Sequence, residues 1–356
     1  MSTTPISVCI IAKNEEKNIE RCLSSLAPYG FEIVLVDTGS TDHTKELASK
    51  YTDCIYDFPW QNDFSAARNF SLSKASNNWI FMMDCDEWVK SLDLEELNYF
   101  RKHLSHAVGS VTRENLTGTP EQSSMSIDQT ERFFSRKNFM YTGIIHEQVT
   151  PKHEKTFEAF LLNTTIGHDG YFMTEENRLS KAERNISLLE KQLSQKPGDP
   201  YTLYQLGKGY EMINDAAKAC TYFEKALRSD LDPELAYTQA LVISYGESLL
   251  DTGEFSKALS LERFYEQYAV TSDFVYLMGM IYLKNEQYEK ALDQFEKALT
   301  FPTARRAGTN SFLSLYEIGH ILMMISEWNM ARNYFLKCGD YPPALKALRF
   351  LDENHL

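Results

Sequence analysis

The residues of this chain best suited to chemistry are two carboxylates at the end of an apolar run. Trp79-Ile80-Phe81-Met82-Met83 leads directly into Asp84-Cys85-Asp86-Glu87. An uninterrupted apolar run of that length predicts a strand buried on both faces of a parallel sheet. Alternation along a strand sends Asp84 and Asp86 the same way and Cys85 to the opposite face. Two hard oxygen donors at the carboxyl end of such a strand lie where open α/β sheets bind ligands. They suit a Mg²⁺ or Mn²⁺ ion that itself holds phosphate oxygens, as in a site for a diphosphate sugar. A lone D-x-D is equally what a solvated acidic turn looks like, so the context decides. About sixty residues further on, Gly143-Ile144-Ile145-His146-Glu147-Gln148-Val149 sets a His-Glu pair after two branched apolar residues. That setting is unusual for a plain surface strand.

The elements that must position these groups alternate between strand and helix up to about residue 170. Ile6 to Ile11 reads as a strand. Asn14 can cap the helix that follows, whose inner face is Ile19, Cys22, Leu23 and Leu26 at i, i+3, i+4, i+7 spacing. Pro28 and Gly30 end it. Ile33 to Val36 is a second strand, and the turn Asp37 to Asp42 caps a helix that buries Leu47, Ala48 and Tyr51. Cys54 to Phe58 is a short strand, and a helix through Phe64, Ala67 and Ser71 leads into the strand ending at Asp84. The alternation predicts an α/β fold with a mostly parallel sheet and helices on both faces. From Glu87 to Tyr171 the pattern loosens into β-like runs (Val108 to Thr112, Arg132 to Ser135, Phe157 to Ile166). The polar stretch Thr117 to Thr130 reads as a mobile loop.

After about residue 180 the pattern is helical and repeats. Gly207, Gly246, Gly279 and Gly319 are each followed twelve residues later by Ala219, Ala258, Ala291 and Ala331. Phe223, Phe295 and Phe335 come four further on, and Ala226, Ala298 and Cys338 three beyond those. This is similar to the tetratricopeptide consensus, in which small residues let paired helices approach and aromatics fill the gap. The unit Ser272 to Pro302 matches best. Glycine-to-glycine steps of 39, 33 and 40 imply insertions beyond the usual ~34-residue period in two units. Three positions recurring in phase argue against a helical bundle with accidental register.

A chain of 356 residues, 43% apolar and 24% charged, has room for two ordinary globular domains, 1–175 and 176–356. No stretch approaches the ~20 apolar residues of a membrane span. The N-terminus lacks the basic and apolar segments of a signal peptide, so a cytoplasmic location is expected. Six scattered cysteines with no C-x-x-C pair read as thiols rather than disulfides or zinc ligands. A net charge of −14 argues against a nucleic-acid partner, since phosphate neutralisation needs clustered Lys and Arg.

Residues 5 to 170 resemble the inverting family 2 glycosyltransferases of GT-A fold, a Rossmann-like nucleotide-diphospho-sugar transferase architecture. Four segments in this order carry the resemblance: Ile10-Ile11-Ala12-Lys13-Asn14-Glu15-Glu16, Val36-Asp37-Thr38-Gly39-Ser40-Thr41-Asp42, Phe64-Ser65-Ala66-Ala67-Arg68-Asn69 and Met83-Asp84-Cys85-Asp86-Glu87. The first strand stops at Ile11, and Ala12 would leave backbone uncovered for a flat base. Glu15 and Glu16 suit a helix N-terminus, and the resemblance implies that the edge holding Ala12, Asn14 and Glu16 also contacts the nucleoside. Asp37 can organise its turn with Gly39; in similar enzymes this acid accepts hydrogen bonds from the base. The resemblance implies that Arg68 faces the diphosphate, where a guanidinium bonds oxygens bidentately, that Asp84 lies near the ribose and the metal, and that Asp86 is the direct metal ligand. It makes Glu147 the base for an inverting attack, with His146 orienting it or contacting phosphate, and the rival reading is an exposed strand end. His168 could return as a third ligand for Mn²⁺ or Mg²⁺, or be a satisfied loop histidine. Asp169 is a weaker base candidate. Trp60 and Trp88 could stack on a sugar or be core.

The resemblance therefore implies a metal-dependent transferase that takes a sugar from a nucleotide-diphosphate donor, with UDP the expected nucleotide. The repeat array would present a concave surface for a peptide or for a second protomer, giving a homodimer through the repeats. The combination is similar to bacterial peptide and protein S- or O-glycosyltransferases, which favours a polypeptide acceptor. The alternatives are a transferase acting on surface polysaccharide or lipopolysaccharide core, with a glycan acceptor, and a non-catalytic adaptor with a degenerate sugar-nucleotide fold.

Overall fold

In the computed structural model the chain is described over residues 4–119, 122–154, 156–168, 175–229, 231–233 and 235–355. It divides into two compact units, Met1–Gln192 and Leu193–Leu356. The sequence reading set its boundary at 175. The helix beyond that point remains with the first unit: Gln192 accepts a hydrogen bond from the Ile144 amide (2.6 Å), and the Arg184 guanidinium lies 5.7 Å from the Phe64 ring centre.

The first unit runs β1 (Ile6–Ala12), α1 (Ile19–Leu26), β2 (Glu32–Asp37), α2 (Thr44–Ala48), β3 (Ile55–Asp57), α3 (Phe64–Lys74), β4 (Trp79–Asp84), β5 (Glu87–Leu92), α4 (Leu94–His103), β6 (Ala107–Thr119), β7 (Gln122–Ser135), β8 (Phe139–Thr142), β9 (Gln148–Pro151), β10 (Glu158–His168) and α5 (Glu175–Gln195). Eight strands form one sheet in the order β3-β2-β1-β4-β7-β6-β10-β5, and β8 pairs with β9 separately. The sheet is parallel across β3-β2-β1-β4 and mixed beyond, since β7 runs antiparallel to both β4 and β6, and β5 to β10. The expectation of a mostly parallel sheet therefore holds only for the half built by strand–helix alternation.

Two-sided burial explains why β1 and β4 read as solid apolar runs. Ile6, Val8 and Ile10 join Phe81 and Met83 in a core with Ile19 and Leu23 of α1 and Leu97 and Phe100 of α4. Cys9, Val34, Ile80 and Met82 face the other way, onto Leu72 of α3. Asp84 continues the alternation of Ile80 and Met82, so it points to the α3 side. Cys85 points to the opposite core.

Two further expectations are corrected. Thr117 to Thr130 is not a loop: β6 and β7 form a long antiparallel hairpin paired out to Thr119 and Gln122. The outer half of this hairpin is polar in sequence, so composition misled. Asn14 does not cap α1, which begins at Ile19 after Asn18. Asn14 sits instead in a left-handed turn (φ 57°) and binds the neighbouring loop. All six cysteines are free thiols.

The second unit is helical throughout: α6 (Pro200–Met212), α7 (Ala216–Leu227), α8 (Ala236–Asp251), α9 (Phe255–Ala258), α10 (Tyr265–Tyr268), α11 (Ser272–Lys284), α12 (Tyr288–Ala298), α13 (Phe312–Met324), α14 (Trp328–Leu336) and α15 (Pro342–Glu353). The in-phase glycines do what the pattern requires. A Cβ on Gly207, Gly279 or Gly319 would stand 2.2, 2.7 and 2.7 Å from the rings of Phe223, Phe295 and Phe335, the aromatics of the paired helices. The second repeat lacks that aromatic, and a Cβ on Gly246 would meet Leu277 and Leu261 instead. There the second helix is broken into α9, a 3₁₀ segment (Leu259–Phe264) and α10. Gly279→Val should overpack the fully buried Phe295 and cost about 1–3 kcal/mol, read as a lower denaturant midpoint at unchanged slope. An unchanged midpoint would mean that the helix pair has room to part.

Candidate active site

The site is built around Asp84. Helix α3 is started by Asp63, whose carboxylate accepts from the Ala66 amide (2.9 Å), and it buries Ala67, Arg68, Ser71 and Leu72. Arg68 is thus a cation carried inward on a helix of small residues, and it requires anionic partners there. Its Nη2 donates to Asp84 Oδ1 (2.8 Å) and its Nε to Glu147. Arg132, reaching in from β7, donates to Asp84 Oδ2 (3.0 Å) and to Glu87, which is wholly buried. Burial opposes the charge on Asp84, but the two guanidiniums prevail and hold its carboxyl far below the usual range. Burial pushes Glu87 up, and Arg132 opposes it. Three buried donors around this cluster have no hydrogen-bond partner: Arg68 Nη1, Arg132 Nε and the Tyr141 hydroxyl. The structure brings three of the expected site residues together: Arg68 bonds both Asp84 and Glu147. Arg132, Glu87 and Tyr141 were given no role. A charged residue directly before Phe133-Phe134 in a β-like run was the one available signal for Arg132.

The expected metal trio does not assemble. Asp86 lies in the turn between β4 and β5 rather than on the strand, and both Asp84 oxygens are turned to arginines. His168, at the end of β10, does come back: its Nε2 is 3.3 Å from Asp86 Oδ2. Among the described residues no group of three or more His, Cys, Asp or Glu converges on one point. The donor set fits a hard divalent ion held by one carboxylate and one imidazole, with phosphate oxygens and water completing its shell.

At the nucleoside edge expected from the first two segments, the polar groups bond one another. Asp37 is buried, and its Oδ1 accepts from the Gly39 and Ser40 amides (2.9 Å each), the turn-organising role. Its Oδ2 is buried without a partner. Ala12 does not leave backbone uncovered: it is 3% exposed, and its carbonyl accepts from the amide and hydroxyl of Thr38, because the parallel ladder runs on to Asp37. Asn14 donates its amide to Ser40 and accepts from the Thr41 amide, and Glu16 binds His43 and the Asp42 carboxylate. These bonds staple the loop after β1 to the loop after β2.

Glu147 follows His146, whose backbone is left-handed (φ 51°) and whose side chain is exposed. Trp88 packs over Gly167, where a Cβ would stand 2.3 Å from its ring, and under the Arg21 guanidinium at 3.9 Å. Trp60 packs edge-on against Phe64 and bonds Asn62. Both tryptophans are thus engaged within the protein. Asp169 lies outside the described residues.

Comparison with known proteins matches residues 7–159 to the family described as Glycosyl transferase family 2. Residues 7–159 are a family 2 glycosyl transferase domain. Residues 272–302 match a tetratricopeptide repeat, the unit singled out from sequence. The SPbeta prophage-derived glycosyltransferase SunS of Bacillus subtilis is 30% identical over 242 residues, 64% of this chain and 54% of that protein. The chain thus spans about half the length of that relative. A TPR repeat-containing protein, Synpcc7942_0270 of Synechococcus elongatus, is 26% identical over 313 residues, 85% of this chain and 74% of its own. The crystal structure of MamA aligns with 50% of this chain and 99% of its own at 20% identity and a TM-score of 0.39, too loose a likeness to carry an argument. Among the described residues no helix is long and apolar enough to cross a membrane. The glycosyl transferase domain contains every residue of the Asp84 cluster named above.

Proposed function

We propose that this chain transfers a glycosyl group from a nucleotide-diphosphate sugar, with UDP the favoured nucleotide, to a polypeptide acceptor, inverting the anomeric centre. The observation that carries the reading is the trio of unpartnered buried donors, Arg68 Nη1, Arg132 Nε and the Tyr141 hydroxyl, around Asp84 at the end of β4 in a glycosyl transferase domain. Such donors match the oxygens of a diphosphate. Asp37 Oδ2 would accept a base N–H. Glu147 would take the acceptor proton as the nucleophile attacks through an oxocarbenium-like transition state. In the ligand-free arrangement its carboxylate is held by Arg68, so a diphosphate that draws the guanidinium away would release the base. A divalent ion held by Asp86 and His168 would supply charge neutralisation for the departing diphosphate.

A polypeptide acceptor is favoured by the repeat unit. It contains a groove of about 1180 Å³ walled by Tyr204, Lys208, Glu247, Tyr276 and Arg306, a mixture of aromatic and charged groups suited to an extended chain. The test is nucleotide release from a panel of nucleotide sugars, with Mn²⁺ or with chelator. Release should occur with one UDP-sugar, require the ion, and disappear in Asp86→Ala. Full activity of that variant in chelator would end the metal assignment. No thermal stabilisation by millimolar UDP with Mn²⁺ would favour the adaptor reading.

A further inference from the structure

Asp86 and His168 are tied to a chain of side chains that belongs to none of the sequence motifs. Arg113 on β6 clamps Asp128 on β7 through two hydrogen bonds, Nε at 3.0 Å and Nη2 at 2.8 Å. Asn115, 5% exposed, donates from Nδ2 to Asp128 Oδ2 (3.2 Å), and its Oδ1 lies 2.8 Å from His168 Nδ1.

The donor and acceptor roles along this chain are forced. Burial works against the charge on Asp128, but Arg113 outweighs it and keeps the carboxyl below its ordinary value, so this group only accepts. Asn115 must therefore turn its NH₂ to Asp128 and its oxygen to the imidazole. An amide oxygen only accepts, so His168 Nδ1 must carry a proton. A neutral imidazole protonated there has its lone pair on Nε2. Nε2 lies 3.3 Å from an oxygen of Asp86. Adjacent ligands of an octahedral ion with ~2.1 Å bonds stand about 3 Å apart, so the spacing of the two side chains suits a shared cation.

We propose that Arg113, Asp128 and Asn115 form a positioning relay that fixes the tautomer of His168, so that its Nε2 and Asp86 together make the protein's half of a divalent-cation site. The relay deepens the metal-dependent reading above and rests on it. None of its three residues touches the cation; they act through His168.

The test uses the full chain labelled with ¹⁵N-histidine, the His168 signals being assigned by their loss in His168→Gln. Ring-nitrogen shifts are followed during Mg²⁺ titration with UDP present, and Mn²⁺ binding is read from the resonance of the free ion. Wild type should show the Nδ1–H tautomer, with Nε2 shifting on ion addition. Asn115→Leu should mix the tautomers and weaken Mn²⁺ binding about 10–100-fold. Asp128→Asn, at a side chain 45% exposed and so tolerated by the fold, frees the Asn115 amide to turn over and should weaken binding in the same direction. Wild-type affinity and tautomer in both variants would overturn the relay and leave the metal reading standing. A wild type that binds neither ion, or whose His168 stays doubly protonated when Mg²⁺ is added, would overturn both.

Discussion

Glu147→Gln is expected to slow glycosyl transfer by about 10²–10⁴-fold, the range for loss of a positioned general base. The amide has the shape of the carboxylate and still offers Arg68 Nε an oxygen, so the surroundings of Asp84 should survive. It cannot take a proton. Donor affinity, read by thermal shift with UDP, should stay within a few-fold of wild type while kcat falls. If turnover stays at the wild-type level, Glu147 is a structural partner of Arg68 and the base lies elsewhere. A loss of donor affinity that matches the loss of rate would instead assign Glu147 to holding Arg68 in place.

Asp84→Ala is expected to be the most destabilising single change at the site. It removes the anion shared by two buried guanidiniums, Arg68 and Arg132, each less than a tenth exposed. Stripping one partner from a buried pair costs about 3–5 kcal/mol, because the remaining charge stays desolvated. Each arginine keeps one acid, Glu147 or Glu87, which argues for the lower end of that range. The same geometry fixes an acid response. A carboxyl whose folded value lies below its unfolded one, about 3.9 for Asp, contributes its stability above that unfolded value. The contribution is lost as pH falls through the folded value. Wild type should therefore lose thermal stability progressively below about pH 4, and Asp84→Ala should lose less over the same window. Equal slopes in the two proteins would show that the acid response comes from other carboxylates.

The half of the domain that binds its strands through crossover helices was legible in the sequence, because strands buried on both faces and amphipathic helices carry strong periods. The inner face of α1, Ile19, Cys22, Leu23 and Leu26, is buried as its spacing implied. So was the glycine–phenylalanine register of the repeats, since close helix approach needs an absent side chain at a fixed spacing. The hairpin of β6 and β7 was not legible. Its outer part has polar residues on both faces, and backbone pairing leaves no trace in composition. With the hairpin went Arg132, Arg113, Asn115 and Asp128, all of which it carries. Asp86 was misplaced for a different reason: alternation predicts direction only while the strand lasts, and β4 ends at Asp84. Ala12 was read as a gap in the surface because small residues often are, yet the ladder with Asp37 continues past it.

The bonds joining Asn14 and Glu16 to Ser40, Thr41 and His43 are made before any ligand is present. A molecule arriving at that rim need not organise two separate peptide segments, so little of its contact energy is spent on freezing them. The rim should behave as a stiff template, choosing among arrivals by shape rather than moulding itself to each. Cutting one tether, at Asn14 for instance, should show first as a slower and looser capture rather than as a changed preference.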